Sequence, residues 1–540
     1  MDVRKEALNL ITMIKEKRDG RVKARACADG RKQRKYISKE EVSSPTMQLE
    51  SLILSLIIDA KEGRDVATAD VVGAYLLANM KDYVLVKLTG KSVDIMCGVS
   101  AEYEKYVGIE NGKRVLYLRL KKALYGCMQS AILWYDTFKG CLEELGFKVN
   151  AYDRCVANKT INGKQCTICW YVDDTKISHV DPKVVDDVIA TIEKRFGKMT
   201  VKRGRTHNFV GMDLTFKDNG TVEILMQEYI RECMETFDEE MKKANTPAKH
   251  NLFDVNDIKQ MSEIRMEIFH HIVAKLLYVS KRARVDIDLA VSFLCTRVSR
   301  STEEDWGKLR RLLNYLWDTI DMPRIIGANG LDLMETYVDA SYAVHQDMRG
   351  HTGGVLTLGR GIIQGKATKQ KLNTKSSTES ELVGASDYIP WTVWAKRFLA
   401  EQGYKLRRNI FYQDNQSAMR MESNGQKSCG EKSRHIHIRY FFIKDVLKRE
   451  SIELIHCPTE RMIADYYTKP LQGSLFKKMR DILMGLVPFP DEERVRLSEK
   501  VSKKIKTSGT CDEGVSRKTV QMNKEKSSVT DETDKVSTET

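Results

Sequence analysis

The stretch TICWYVDDTKISHV (167–180) constrains the fold more than any other. Two β-prone runs flank Asp173 and Asp174, which predicts an antiparallel hairpin with two adjacent carboxylates at its tip. Neighbouring carboxylates repel each other, a liability unless a cation neutralises them. Mg²⁺ binds through a few carboxylates together with substrate phosphates, so the tip is a candidate metal cradle. An ordinary acidic turn is the competing reading of Asp-Asp alone. A second segment, RDVATADVVGAYL (64–76), places Asp70 at the end of another β-prone run. Gly73, Ala74 and Tyr75 follow it into a helical pattern.

The hairpin sits in a long α/β region. From about 45 to 240, runs such as YVLVKL (83–88), RVLYLRL (114–120) and CTICWYV (166–172) alternate with helical patterns. Residues from about 258 to 320 carry apolar residues three and four apart and predict helices. A Gly-containing turn near IIGANGLD (325–332) reads as a boundary, after which β patterning returns. A helix is expected over about 378–402, capped by Thr378 or Ser377 with Glu381 at N3 spacing. The last fifty residues lack aromatics, so 495–540 is expected to be a disordered tail.

Charge and cysteine content narrow the function. The 540 residues hold 89 Lys and Arg against 75 acids, a net charge of +14 that points to a polyanionic partner such as nucleic acid. Twelve sparse cysteines fit reduced thiols, so a reducing compartment, cytoplasm or nucleus, is expected. The longest apolar stretch, LILSLIIDA (52–60), is too short to span a membrane.

Asp-Val-x-x-Ala-Tyr followed about a hundred residues later by Tyr-Val-Asp-Asp resembles the palm of a reverse transcriptase. With LKKALYGCMQSAILWY (120–135) between them, the chain resembles copia-type LTR retrotransposon polymerases. The resemblance implies an α+β/α/β multidomain chain. A right-hand polymerase (fingers, palm, helical thumb or connection) would be followed by an RNase H-like mixed β-sheet with helices. The expected boundaries are 1–240 for fingers and palm, 241–328 for the thumb or connection, and 329–494 for the RNase H-like part.

The resemblance also implies roles. Asp70 and Asp173 would be the main metal ligands, with Asp174 completing the cluster. Tyr75 falls at the family's aromatic sugar gate; a core aromatic is the alternative. Gln129, after Leu-Tyr-Gly, would contact the incoming nucleotide. Lys23 and Arg25, in VKARACADG, match cations that meet the triphosphate. Phe209-Val-Gly-Met212 resembles the primer-grip hairpin. The chain departs from the family pattern at Met128, Ala131 and Ile132, where lysine, proline and arginine are usual, and at Val285 in Arg-Val-Asp-Ile, where proline is usual.

The C-terminal third holds four spaced acids: Asp339, Glu381, Asp414 and Asp465. By pattern, Asp339 and Asp414 lie on strands, Glu381 on a helix and Asp465 at a helix start. With their flanks they resemble the family's RNase H site, whose four acids hold two metals. Glu379 is a rival for Glu381, which the family's Glu-x-Glu motif favours. His435 and His437, in RHIHIRYFFIKD, read as structural or nucleic-acid contacts in preference to metal ligands. TKPLQG (468–473) is also family-like and reads as a turn or helix end at least as readily as a catalytic segment.

The expectation is an RNA-directed DNA polymerase with RNase H activity, using two Mg²⁺ (or Mn²⁺) ions per site. Its partners would be an RNA template, a DNA primer, dNTPs and the RNA–DNA hybrid, with no membrane. The absence of protease and integrase signatures makes the chain look like one portion of a longer polyprotein, or a truncated genomic copy. The alternative is a catalytically weakened retrotransposon relic that binds nucleic acid without copying it.

Overall fold

The computed structural model describes residues 3–16, 20, 22–256, 259–424 and 437–490. The expected tail and His435 lie outside the described residues, as does the His437 side chain. Among the described residues the strands form four sheets.

The first sheet is small and N-terminal. It pairs Leu8–Glu16 with Val22–Ala28 on one side and Leu85–Thr89 on the other, and continues through Lys113–Arg119 to Gly108–Glu110. It has its own apolar core, built on Leu8, Val86, Leu88 and Leu116. The second sheet runs Thr200–Lys202, Asp65–Asp70, Asp174–His179, Lys164–Tyr171, Val156–Ile161, Lys148–Val149. The predicted hairpin is its centre.

Helices cover that second sheet for reasons visible in the sequence. Leu49–Lys61 is apolar almost throughout and is buried from Ser51 to Ala60. Pro182–Phe196 starts on Asp181, whose carboxylate accepts from the Lys183 backbone at 3.0 Å, with Pro182 in the first turn, where its missing N–H costs nothing. A buried ion pair ties helix to sheet: Asp59 of Leu49–Lys61 meets Lys176 of the hairpin, both with fully buried side chains. Ser178 Oγ donates to the other Asp59 oxygen at 2.6 Å, and Arg64 lies 3.7 Å from it.

The third sheet corrects one expectation. Arg324–Ala328, within the stretch read as a boundary turn, is a strand. It pairs with Thr221–Leu225 and with Gly359–Arg360, so the sheet takes strands from all three stretches expected as separate parts. Residues up to Phe489 form one compact unit.

The fourth sheet has the order Gln364–Lys369, His351–Thr357, Leu333–Ser341, Arg408–Gln413, Glu453–His456. The first three strands are antiparallel and the last two join in parallel. Three helices, Glu263–Arg282, Asp288–Cys295 and Glu303–Asp318, lie between the two halves of the sequence, as the periodicity predicts. The whole is the mixed helix-and-sheet multidomain class expected.

The long helix Ser377–Glu401 packs on the fourth sheet. Its cap is Ser376, one residue before the cap expected. Glu379, not Glu381, is therefore the N3 residue: its N–H bonds Ser376 Oγ at 3.2 Å, and its carboxylate accepts from the Lys375 N–H at 2.7 Å. Gly384 lets this helix come close to the sheet, since a Cβ there would lie 3.2 Å from Ala340 Cβ. No described helix is long and apolar enough to cross a membrane.

Candidate metal centres

The first acidic site grows from register. Asp70, at the end of its strand, is the cross-strand partner of Asp174, and Asp174 faces Tyr171 on its other side. Val172 and Asp173 form the two-residue turn. Val172 has φ +60°, a left-handed conformation that a β-branched residue adopts only under strain, at a cost of about 1–3 kcal/mol. Two bonds hold the turn there. Trp134 Nε1 donates to the Val172 carbonyl at 2.7 Å, and the Val71 N–H donates to the Asp173 carbonyl at 3.2 Å. Trp134 belongs to the helix Ser130–Glu144, so the family-like stretch before the hairpin also positions it.

Burial pushes the Asp174 carboxyl up to about 6, and the charges of Asp173 and Asp70 push the same way. A carboxyl beside two others in a half-buried place is an environment that a cation relieves. The donor set fits a hard divalent ion.

An aromatic pair stands beside these acids. Gly73, at φ +68°, turns the chain into the short helix Ala74–Leu77. This delivers Tyr75 against Tyr125, with ring centroids 4.8 Å apart. Burial and then the Asp173 charge raise both phenols. The Arg25 guanidinium lies 5.4 Å from the Tyr125 ring. The structure thus gathers Tyr75 and Arg25 through Tyr125, a residue that motif spacing alone did not single out. Two motif segments make the junction backbone to backbone. The Ala28 N–H donates to the Tyr125 carbonyl at 2.7 Å, and a Cβ on Gly126 would lie 2.0 Å from the Ala28 carbonyl oxygen.

The other two expected nucleotide contacts stand differently. Lys23 lies on the strand Val22–Ala28, opposite Lys15. Gln129 is buried, and its carboxamide is engaged: it donates to Asp82 at 2.8 Å and accepts from Gln33 Nε2 at 2.8 Å. Contact with a nucleotide requires those bonds to open. Phe209-Val-Gly-Met212 is a hairpin turn, with Val210 at φ +50° and Gly211 at φ +76°. Tyr278 holds it by donating to the Val210 carbonyl at 3.0 Å. Ile132 packs on the core. Arg284 and Asp286, of Arg-Val-Asp-Ile, form a buried two-bond pair at 2.9 and 2.8 Å.

The second acidic site is the one place among the described residues where three carboxylates offer oxygens all within 4.8 Å of one another: Asp339, Asp414 and Asp465. Asp339 lies on the central strand, as expected. Asp414 follows the end of the parallel neighbour Arg408–Gln413, and Asp465 lies in the 3₁₀ turn Ile463–Tyr467. Glu381 reaches the same place from the long helix and is 5% exposed. Burial drives its carboxyl well above the ordinary range, reinforced by the charges of Asp339 and Asp414. Its Oε2 has no hydrogen-bond partner among the described residues. Burial, then Asp339, pushes Asp465 up to about 7. Asp414 is raised by the same two causes.

Two further residues belong here. Thr468 Oγ1 donates to Asp339 Oδ2. Lys469 Nζ lies 2.8 Å from Asp465 Oδ1 and 3.8 Å from Asp339 Oδ1. The signal was present in TKPLQG, whose Lys is four residues after Asp465, but a turn was an equal reading. Mutually repelling, buried acids with one orphaned oxygen fit a divalent cation well, and Lys469 partly neutralises them by itself.

Residues 8–250, which hold the first site, match the reverse transcriptase (RNA-dependent DNA polymerase) family. Over most of its length the chain is similar to copia-type LTR-retrotransposon polyproteins. It is 25% identical over 494 residues to the retrovirus-related Pol polyprotein from transposon TNT 1-94 of Nicotiana tabacum, covering 89% of this chain and 36% of that protein. It is 24% identical over 493 residues to the transposon Ty1-NL2 Gag-Pol polyprotein of Saccharomyces cerevisiae, covering 88% and 27%. The chain thus spans about a third of the length of these curated relatives. Among solved structures it is similar to a foamy viral protease-reverse transcriptase in complex with double-stranded DNA, with TM-score 0.46, 11% identity, and coverage of 85% of this chain and 68% of that one.

Proposed function

We propose that the chain is an RNA-directed DNA polymerase joined to a ribonuclease H. It would copy retrotransposon RNA into DNA from a primer with dNTPs and degrade the RNA strand of the hybrid. One observation carries the reading: strand-end Asp70 stands in register with hairpin Asp174 inside the stretch that matches the reverse transcriptase family. The division of labour follows the segments 1–240 for fingers and palm, 241–328 for the thumb or connection, and 329–494 for the nuclease.

In the polymerase, Asp70, Asp173 and Asp174 would hold two Mg²⁺ or Mn²⁺ ions. In the nuclease, Asp339, Glu381, Asp414 and Asp465 would do so. Such ions supply charge neutralisation and Lewis-acid activation of the attacking hydroxyl or water. The chain's own residues do the rest. The strained Val172 turn aims Asp173, Tyr125 fixes Tyr75 against the sugar, and Arg25 with Lys23 meets the triphosphate charge. In the nuclease, Thr468 orients Asp339, and Lys469 holds part of the acidic charge before a cation arrives.

The second reading, a nucleic-acid-binding relic, rests on Met128, Ala131 and Ile132, which leave the segment beside Gln129 without its usual cations. Primer extension on an RNA template with Mg²⁺ or Mn²⁺ tests the proposal. Wild type extends, and Asp173→Asn still binds the duplex but does not extend. Unchanged extension by Asp173→Asn would sink the palm assignment. A wild type that binds hybrid without extending it would select the relic.

A further inference from the structure

At the end of the helix Glu263–Arg282 lies a cavity of about 470 Å³. Its other walls are Glu50 at the start of Leu49–Lys61, Arg324 of the third sheet, and Lys366 of the strand Gln364–Lys369. It shares no lining residue with either acidic site. Four cations face it, Lys281, Arg282, Arg324 and Lys366, against two carboxylates, Glu50 and Asp288. Lys281 pairs with Asp288 at 2.6 Å.

The other three cations bond only to neutral oxygens among the described residues. Arg324, 1% exposed, donates to the carbonyls of Lys281, Arg282, Ile362 and Ile363. Arg282 donates to the Tyr278 carbonyl at 3.4 Å, and Lys366 to the Asp387 carbonyl at 3.1 Å. The Nε atoms of both Arg282 and Arg324 are buried and donate to nothing among the described residues. Burial draws the Arg324 guanidinium down to about 10. Glu50 is the carboxylate that Arg282 and Arg324 share, so positive charge outnumbers negative in this partly desolvated place, and an anion seated among the cations lowers that cost. Guanidinium forks and an ammonium match the oxygens of a phosphate. Trp391 and Tyr467 supply an aromatic wall.

We infer that this cavity is a phosphate-binding site, separate from both acidic sites, that takes a phosphate of a nucleic-acid backbone or of free pyrophosphate or nucleotide. Its occupant would lie two side chains from the Phe209–Met212 turn. Arg282 sits 3.5 Å over the Tyr278 ring, and Tyr278 bonds the Val210 carbonyl. The site does not depend on whether the chain copies RNA.

The test uses the full chain without divalent metal and two probes. Inorganic pyrophosphate is titrated calorimetrically, and an RNA–DNA hybrid is bound across a salt series. Lys366→Gln and Arg282→Gln remove charges, and Lys366→Arg keeps one. The site predicts that at least one probe is weakened in both Gln variants and restored in Lys366→Arg. Pyrophosphate affinity falling at least tenfold identifies a free phosphate ligand. A salt slope, log K against log salt, that falls by about 0.9 per variant identifies a backbone phosphate. Wild-type behaviour of both Gln variants toward both probes overturns the proposal. So does a loss that Lys366→Arg fails to restore, which would mark a packing defect.

Discussion

Gly353 determines whether the acids of the second site can meet. It is the cross-strand partner of Asp339, and a Cβ on it would stand 2.6 Å from the Ala464 carbonyl oxygen and 2.8 Å from Thr468 Cγ2. Gly353→Ala therefore pushes the 463–468 turn, with Asp465, away from Asp339. Mn²⁺ affinity of the second acidic site should fall more than tenfold by calorimetry, while primer extension is kept. Unchanged Mn²⁺ affinity would show that the turn does not need this close approach. Protonation works at the same scale. The Asp465 carboxyl is raised from 3.8 to about 7, so the folded state binds the extra proton between those values. Without metal, stability contributed by this group is full below about 4 and falls as pH rises toward 7. Metal must displace that proton, so Mn²⁺ affinity should rise from pH 5 to 8. A pH-independent affinity would contradict the raised carboxyl. Single residues were unevenly legible in the sequence. The seven acids stood out by motif, but Glu379 and Glu381 could not be separated by spacing. The cap is Ser376, so one acid closes the helix end and the other faces the sheet. Tyr125 and Lys469 became visible only when their partners, distant in sequence, came within reach.

At the scale of elements, the hairpin is held by its attachments. Lys176, three residues beyond Asp173, is buried against Asp59 of the apolar helix. Removing one partner leaves a buried charge without compensation, which costs about 3–5 kcal/mol. Asp59→Ala should lower the stability of the fold by that amount in urea unfolding. Asp59→Leu combined with Lys176→Met should recover much of it. Equal losses for single and double variants would show that the pair is not coupled. The alternation of β runs made this hairpin readable from sequence, because apolar and polar positions follow the pleat. The strand Arg324–Ala328 was not readable. Its five residues are flanked by turn signals, and its partner, Thr221–Leu225, lies about a hundred residues away. Local pattern cannot report a partner at that separation.

Across the whole molecule, two acidic sites are built from separate sheets and bound into one unit by shared elements. Arg284 and Asp286 tie the helices of the middle stretch to the turn that carries Asp465. Tyr315 bonds the Asp286 carboxylate at 2.6 Å, and Tyr466 and Tyr467, beside Asp465, donate to the carbonyls of Asp286 and Val285 at 3.0 and 3.1 Å. Fold class was legible because each half carries its own motif set. The joining of the halves was not, since it depends on buried side chains meeting across more than a hundred residues. The central claim is that the sites are distinct and do different chemistry on one substrate. The most direct measurement is a single reaction on an RNA template annealed to a DNA primer, scored for both extension and RNA cleavage. Asp173→Asn should cleave without extending, and Asp414→Asn should extend without cleaving. Loss of both activities in either variant, or retention of both, would contradict the account.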